Sequence, residues 1–206
     1  MKIDCLDLRV ILANPFIYRL FSTIVGQGPA RDTYVKEYIR PQKGDRILDI
    51  GCGPADILEH LPENIYYTGF DMSQDYIAAA CERFGQRGEF MCKLLSPEVL
   101  GQMDLFDRVI AIGVLHHLDD ANAGNLFELA QKALKPGGRL ITIDPVFLAG
   151  QPWLEHFLVS KDRGNYVRYD GEYRRLVPQG FQDVQTSIRQ GMLRMPYSLM
   201  FMECTK

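Results

Sequence analysis

Apolar residues along the central half of the chain come in short continuous runs. Those at 46–50, 66–70, 89–92, 108–113 and 139–144 predict strands. Between them lie segments with helical periodicity: 55–60, a stretch capped by Ser73 and reaching Phe84, and 121–134. Pro136-Gly137-Gly138 predicts a turn into the last of these strands. Repeated strand-then-helix spacing implies an α/β fold, with a parallel sheet and helices on both faces. Runs such as Val109, Ile110, Ala111 and Ile112 suit strands covered on both sides.

The flanks follow other patterns. Residues 15–25 predict a helix, broken at Gly26, Gly28 and Pro29, and 30–39 predict a second one that stops before Pro41. Together they form an N-terminal helical cap over 1–40. At the other end, 181–188 and 197–204 read as strands. Only about eight residues separate them, too few for a helical crossover, so they are expected to pair antiparallel. The segment 145–180 is the least regular. It leaves the carboxyl end of the 139–144 strand, where ligands sit in open α/β sheets. It reads as a lid or substrate-binding insertion, with a plain packing insertion as the alternative.

Composition narrows the class. The 206 residues fit one domain, 1–206, with 47% apolar and 24% charged residues. A net charge of −3 argues against a nucleic-acid partner. No run approaches the ~20 apolar residues of a membrane span, and no signal-like core opens the chain, so a cytoplasmic location is expected. The cysteines Cys5, Cys52, Cys81, Cys92 and Cys204 are odd in number and form no CxxC pair. A disulfide framework or metal site is therefore not expected.

Chemistry enters at residues 46–57, RILDIGCGPADI. Gly51 and Gly53 allow a sharp turn after a buried strand and leave bare backbone for a ligand. Asp71 follows Gly51 by 20 positions, the separation at which a carboxylate meets a ribose in Rossmann-like folds. A dinucleotide fingerprint would place a small residue where Asp56 stands, which weakens the nicotinamide reading. No P-loop pattern occurs.

DIGCGPAD (49–56) resembles motif I of the class I S-adenosylmethionine-dependent methyltransferases, and GFDMS (69–73) resembles their motif II. FDRVIAIGVLHHL (106–118) and LKPGGRLITIDP (134–145) resemble the strand-four and strand-five motifs of their small-molecule members. All four occur in the family's order, over about half of the chain. The resemblance implies a Rossmann-like, seven-stranded, mostly parallel sheet with an antiparallel last strand. It implies S-adenosylmethionine as cofactor, S-adenosylhomocysteine as product and a small-molecule methyl acceptor as partner. Asp49, Gly51, Cys52 and Gly53 would shape the methionine end, with Ile112 and Gly113 bordering its amine. Asp71 would take the ribose, and Met72 and Leu94 would lie at the adenine. Two departures stand out. Ala55 replaces the third glycine of motif I, where a small shift of the methionine end is expected. Residues 92–95 hold no carboxylate for the adenine amino group, leaving backbone amides and apolar contact.

Methyl transfer from a sulfonium is an in-line displacement that mainly needs alignment and exclusion of water. His116 and His117 follow the fourth strand and are candidate bases, with orienting hydrogen bonds as the alternative. Asp144 either faces the cleft or caps the turn before Pro145. Tyr18, Tyr166 and Tyr169 are candidate pocket walls, and Asp162/Arg163 reads as a solvated ion pair. Two other readings stay open: an adenosylmethionine-binding enzyme of non-methylating chemistry, and a non-catalytic cofactor-binding regulator.

Overall fold

Ile47 and Leu48 are adjacent, and both are fully buried on opposite faces of β1 (Arg46–Ile50). This computed structural model describes residues 20, 22–162 and 164–206, and β1 is the centre of its sheet. Tyr18 and most of the helix expected over 15–25 lie outside the described residues; 22–25 are helical.

The other elements follow in chain order: α1 (Gln27–Thr33), β2 (Tyr66–Asp71), α2 (Gln74–Phe84), β3 (Gly88–Cys92), α3 (Pro97–Leu100), β4 (Phe106–Ile112), α4 (Asp120–Ala133), β5 (Leu134–Phe147), α5 (Trp153–Ser160), β6 (Arg168–Tyr169), α6 (Asp170–Arg175), β7 (Asp183–Arg189) and β8 (Leu199–Thr205). The main sheet runs β3-β2-β1-β4-β5-β8-β7, and the two-residue β6 pairs with β5 off this path. Strands β1 to β5 pair in parallel, while β8 lies antiparallel between β5 and β7. This is the expected mostly parallel, seven-stranded sheet with an antiparallel last strand, to which the short β6 is added.

Alternate strand residues feed two cores, as the pleat requires. Ile47, Ile110, Ile141 and Phe201 pack with Tyr34, Ile39, Leu58 and Ala80. Leu48, Val109, Leu140 and Met202 pack with Leu126, Phe127 and Ala130.

Three expectations shift. The helix expected over 55–60 is only a 3-10 turn, Asp56–Glu59. Gly28 and Pro29 do not break the N-terminal helix. They occupy the first turn of α1, where a missing N–H costs nothing. After α1 the chain widens into a π-helical turn, Tyr34–Ile39, and ends at Arg40 in a left-handed conformation. Arg108 and Arg139 donate to the Ile39 carbonyl and cap that end.

The insertion is more ordered than its sequence pattern suggests, holding α5, β6 and α6. Buried Arg168 fastens it to the loop after β4 by donating to the Leu115 and Leu118 carbonyls and to Asp120. Buried Glu155 on α5 accepts from Ser198 and Gln190 beside β8. Among the described residues, no helix is long and apolar enough to cross a membrane.

Candidate active site

The glycine turn after β1 closes on β2. Gly51 and Cys52 both donate to the Phe70 carbonyl, at 2.7 and 3.0 Å. Gly51 has φ +76°, and a Cβ there would sit 2.6 Å from Val114 Cγ2, so the position admits no side chain. Gly53 has φ +54°, and a Cβ there would meet nothing within 4 Å, because the residue faces open cavity. Ala55 also adopts the left-handed conformation, at φ 56°. An L-residue there costs about 1–2 kcal/mol, a strain that a glycine would avoid.

These turns border a cavity of about 390 Å³ beyond the carboxyl ends of β1, β4 and β5, within the range of small-ligand pockets. Asp49, Gly51, Cys52, Gly53, Asp71, Ile112 and Gly113 all line it. Asp71 accepts the Gly53 N–H at 2.9 Å and the Ser73 N–H at 2.8 Å, one on each oxygen. Each oxygen keeps a further lone pair. Asp49 is buried. Burial pushes its carboxyl up to about 7, although Tyr67 O–H donates to it and opposes the shift, and nearby Asp71 adds to the rise. Burial, reinforced by Asp49, also holds the Cys52 thiol far above its ordinary range, so it stays protonated.

Met72 and Leu94 do not line the cavity. They stand at 62% and 70% exposure on the surface around the ends of β2 and β3. Asp56 is buried and ion-paired to Arg31 of α1 and to Arg83 of α2. This accounts for the departure from a dinucleotide fingerprint: the position joins two helices to the turn instead of letting a helix pack closely. Arg31 reaches the cavity wall, as do Gln27, Tyr34 and Tyr76.

The opposite wall holds the histidines. His117 is exposed and lines the cavity, its ring 4.1 Å from that of His116. His116 is buried between two carboxylates, with Nδ1 2.8 Å from Asp144 and Nε2 3.0 Å from Asp162. Burial works against its charge, but the hydrogen bonds to Asp144 and Asp162 outweigh it and raise its pKa to about 9. Asp144 is buried beneath the wall, its carboxyl raised by burial. Asp162 also accepts Tyr197 O–H, so it is no solvated partner. Burial alone would raise it, yet His116 and Tyr197 hold it well below the usual carboxylate range. Tyr166 and Tyr169 are exposed and do not line the cavity.

Sequence reasoning missed Arg31, Asp162, Tyr197 and Leu193. Arg31 and Asp162 belong to no motif. Tyr197 carried a signal only as the lead-in to the last strand.

Residues 48–140 match the family model described as a methyltransferase domain. An uncharacterised protein of Synechococcus sp. is 41% identical over 108 residues, which is 48% of this chain and 25% of that protein. The ubiquinone biosynthesis O-methyltransferase of Idiomarina loihiensis is 27% identical over 116 residues, 54% of this chain and 47% of that protein. The chain therefore spans less than half the length of either relative. Among solved structures, Haemonchus contortus phosphoethanolamine N-methyltransferase 2, in complex with S-adenosyl-L-methionine, aligns with a TM-score of 0.71 at 16% identity. It covers 100% of this chain and 61% of that one, and at this identity the likeness concerns the fold alone. Motifs, sheet order and family match agree on a methyltransferase-type domain over residues 48–140, carried on a Rossmann-like sheet.

Proposed function

We propose that this protein transfers a methyl group from S-adenosylmethionine to an oxygen, nitrogen or carbon atom of a small molecule. The observation that carries the reading is the open cradle at Gly53. Its backbone is bare toward the cavity, and its N–H is held by an aspartate with lone pairs to spare. When bound, the cofactor supplies a methyl group already activated on a sulfonium.

The chain's own residues then have three tasks. Asp71 accepts ribose hydroxyls, and the exposed Met72 and Leu94 offer apolar surface at the adenine end. Asp49 faces the cationic amine, while the Arg31 guanidinium takes the carboxylate. On the far wall His117, Tyr197 and Leu193 meet the acceptor. His117 is the histidine placed to take a proton from a hydroxyl or amine. The free thiols among the described residues fit a reducing, cytoplasmic setting.

Calorimetric titration tests this directly. S-adenosylhomocysteine is expected to bind and NADH to give no heat. The reverse outcome would sink the reading. With methyl-labelled cofactor and a panel of phenols, amines and hydroxylated lipids, a product gaining one methyl group identifies the acceptor class.

A further inference from the structure

Four side chains from separate parts of the chain form one line at the acceptor wall, with His116, Asp162 and Tyr197 bordering the cavity and Asp144 beneath them. Asp144 lies on β5, His116 follows β4, Asp162 follows α5 in the insertion, and Tyr197 precedes β8. His116 contacts Asp144 through Nδ1 and Asp162 through Nε2, at 2.8 and 3.0 Å. Its backbone doubles the attachment: its N–H donates to Asp144 at 3.2 Å, and its C=O accepts the Tyr166 N–H at 2.9 Å. Asp162 also takes the Gly164 N–H at 3.0 Å, and Tyr197 O–H donates to its other oxygen. A Cβ at Gly164 would lie 2.1 Å from His116 Cδ2, so the insertion's backbone rests directly on the ring.

Between two ionised carboxylates this geometry selects the imidazolium. Ionised carboxylates only accept, and a neutral imidazole has one N–H. One of the two contacts would then set lone pair against lone pair; an imidazolium satisfies both. Asp144 Oδ2 is buried with no hydrogen-bond partner, so its charge depends on that cation. The other groups facing the line are the His117 ring, the Tyr173 phenol, which donates to Pro145 C=O, and Arg168, which is already paired with Asp120. None of them replaces the imidazolium.

We propose that His116 is a positioning residue: as an imidazolium tied between Asp144 of the sheet and Asp162 of the insertion, it clamps the insertion over the acceptor side of the cavity and, through Asp162, orients Tyr197. It therefore does not serve as the base, since no ring nitrogen is left to receive a proton. Its purpose rests on the methyl-transfer reading, whereas the clamp is a property of the protein alone.

Hydrogen exchange of the full chain, corrected for the intrinsic pH effect, tests it between pH 6.5 and 10. In the wild type, protection at 164–168 should fall about tenfold as pH passes about 9, while β1 stays protected. Anisotropy of Trp153, the single tryptophan, should fall over the same interval. His116→Gln should lose the pH step and show about tenfold less protection at every pH, because an amide offers donors from only one end. Should that variant not fold, Asp162→Asn carries the same expectation. Wild-type protection without a step, or either variant matching the wild type throughout, overturns the clamp. S-adenosylhomocysteine affinity within about threefold of wild type in the variants supports confinement to the acceptor side, and a loss above about tenfold overturns it. If the wild type binds no S-adenosylhomocysteine, the cofactor reading fails, and the exchange data decide the clamp independently.

Discussion

Asp71 holds the Gly53 N–H at 2.9 Å, so the carboxylate proposed for the ribose also fixes the turn beside it. Turn-forming and ligand-binding are therefore compatible roles for one side chain.

Replacing Asp71 by Ala should weaken S-adenosylhomocysteine binding by about 1–3 kcal/mol through lost charged hydrogen bonds. Asp71→Asn keeps an oxygen for one of the two N–H groups and should fall between. Calorimetry on both variants checks this, and wild-type affinity in Asp71→Ala would refute the ribose role.

Asp49 makes binding pH-dependent. Its carboxyl is raised from 3.8 to about 7, so near neutrality it is only partly ionised. A cationic amine prefers the ionised form. Affinity should rise as pH passes 7 and fall by up to about tenfold per unit below it. The stability sign is opposite. A raised folded pKa gives a contribution present below the ordinary value and lost as pH rises through about 7. Asp49→Asn should flatten both curves; titrations and denaturant melts from pH 5 to 8.5 would show it.

Gly51→Ala should destabilise the protein on two counts. The left-handed backbone costs about 1–2 kcal/mol. The clash with Val114, at 2.6 Å from an ideal Cβ, adds an overpacking cost of about 1–3 kcal/mol. Val114→Ala in the same chain should relieve only the second. A double-mutant cycle by urea unfolding should return that coupling; strict additivity would mean that the two residues do not touch.

The legible parts of this chain are those whose burial is encoded locally. Ile47, Leu48, Val109 and Ile110 lie in uninterrupted apolar runs between turn residues, and their strands fall within a residue or two of the expected positions. Asp49, Gly51, Gly53 and Asp71 were legible because they sit at fixed offsets along β1, its glycine turn and the end of β2. Asp162 was not. Next to Arg163 it reads as surface, and only the fold brings it to His116 and Tyr197. Arg31 was hidden likewise, since a helix before the motif offers no sign of where it will dock. Helix α5 was obscure because it leaves Trp153 at 79% exposure, which blurs its periodicity.

The placement of β8 has a consequence for synthesis. It is made after every other described strand, yet it sits inside the sheet and covers the edge of β5. Until it emerges, β5 presents unpaired backbone along its length, the kind of edge that invites pairing with other chains. Tyr197 arrives with it. The nascent chain can therefore form the glycine cradle and Asp71 well before the acceptor wall exists, so a ribosome-bound intermediate would gain the donor's half of the site first.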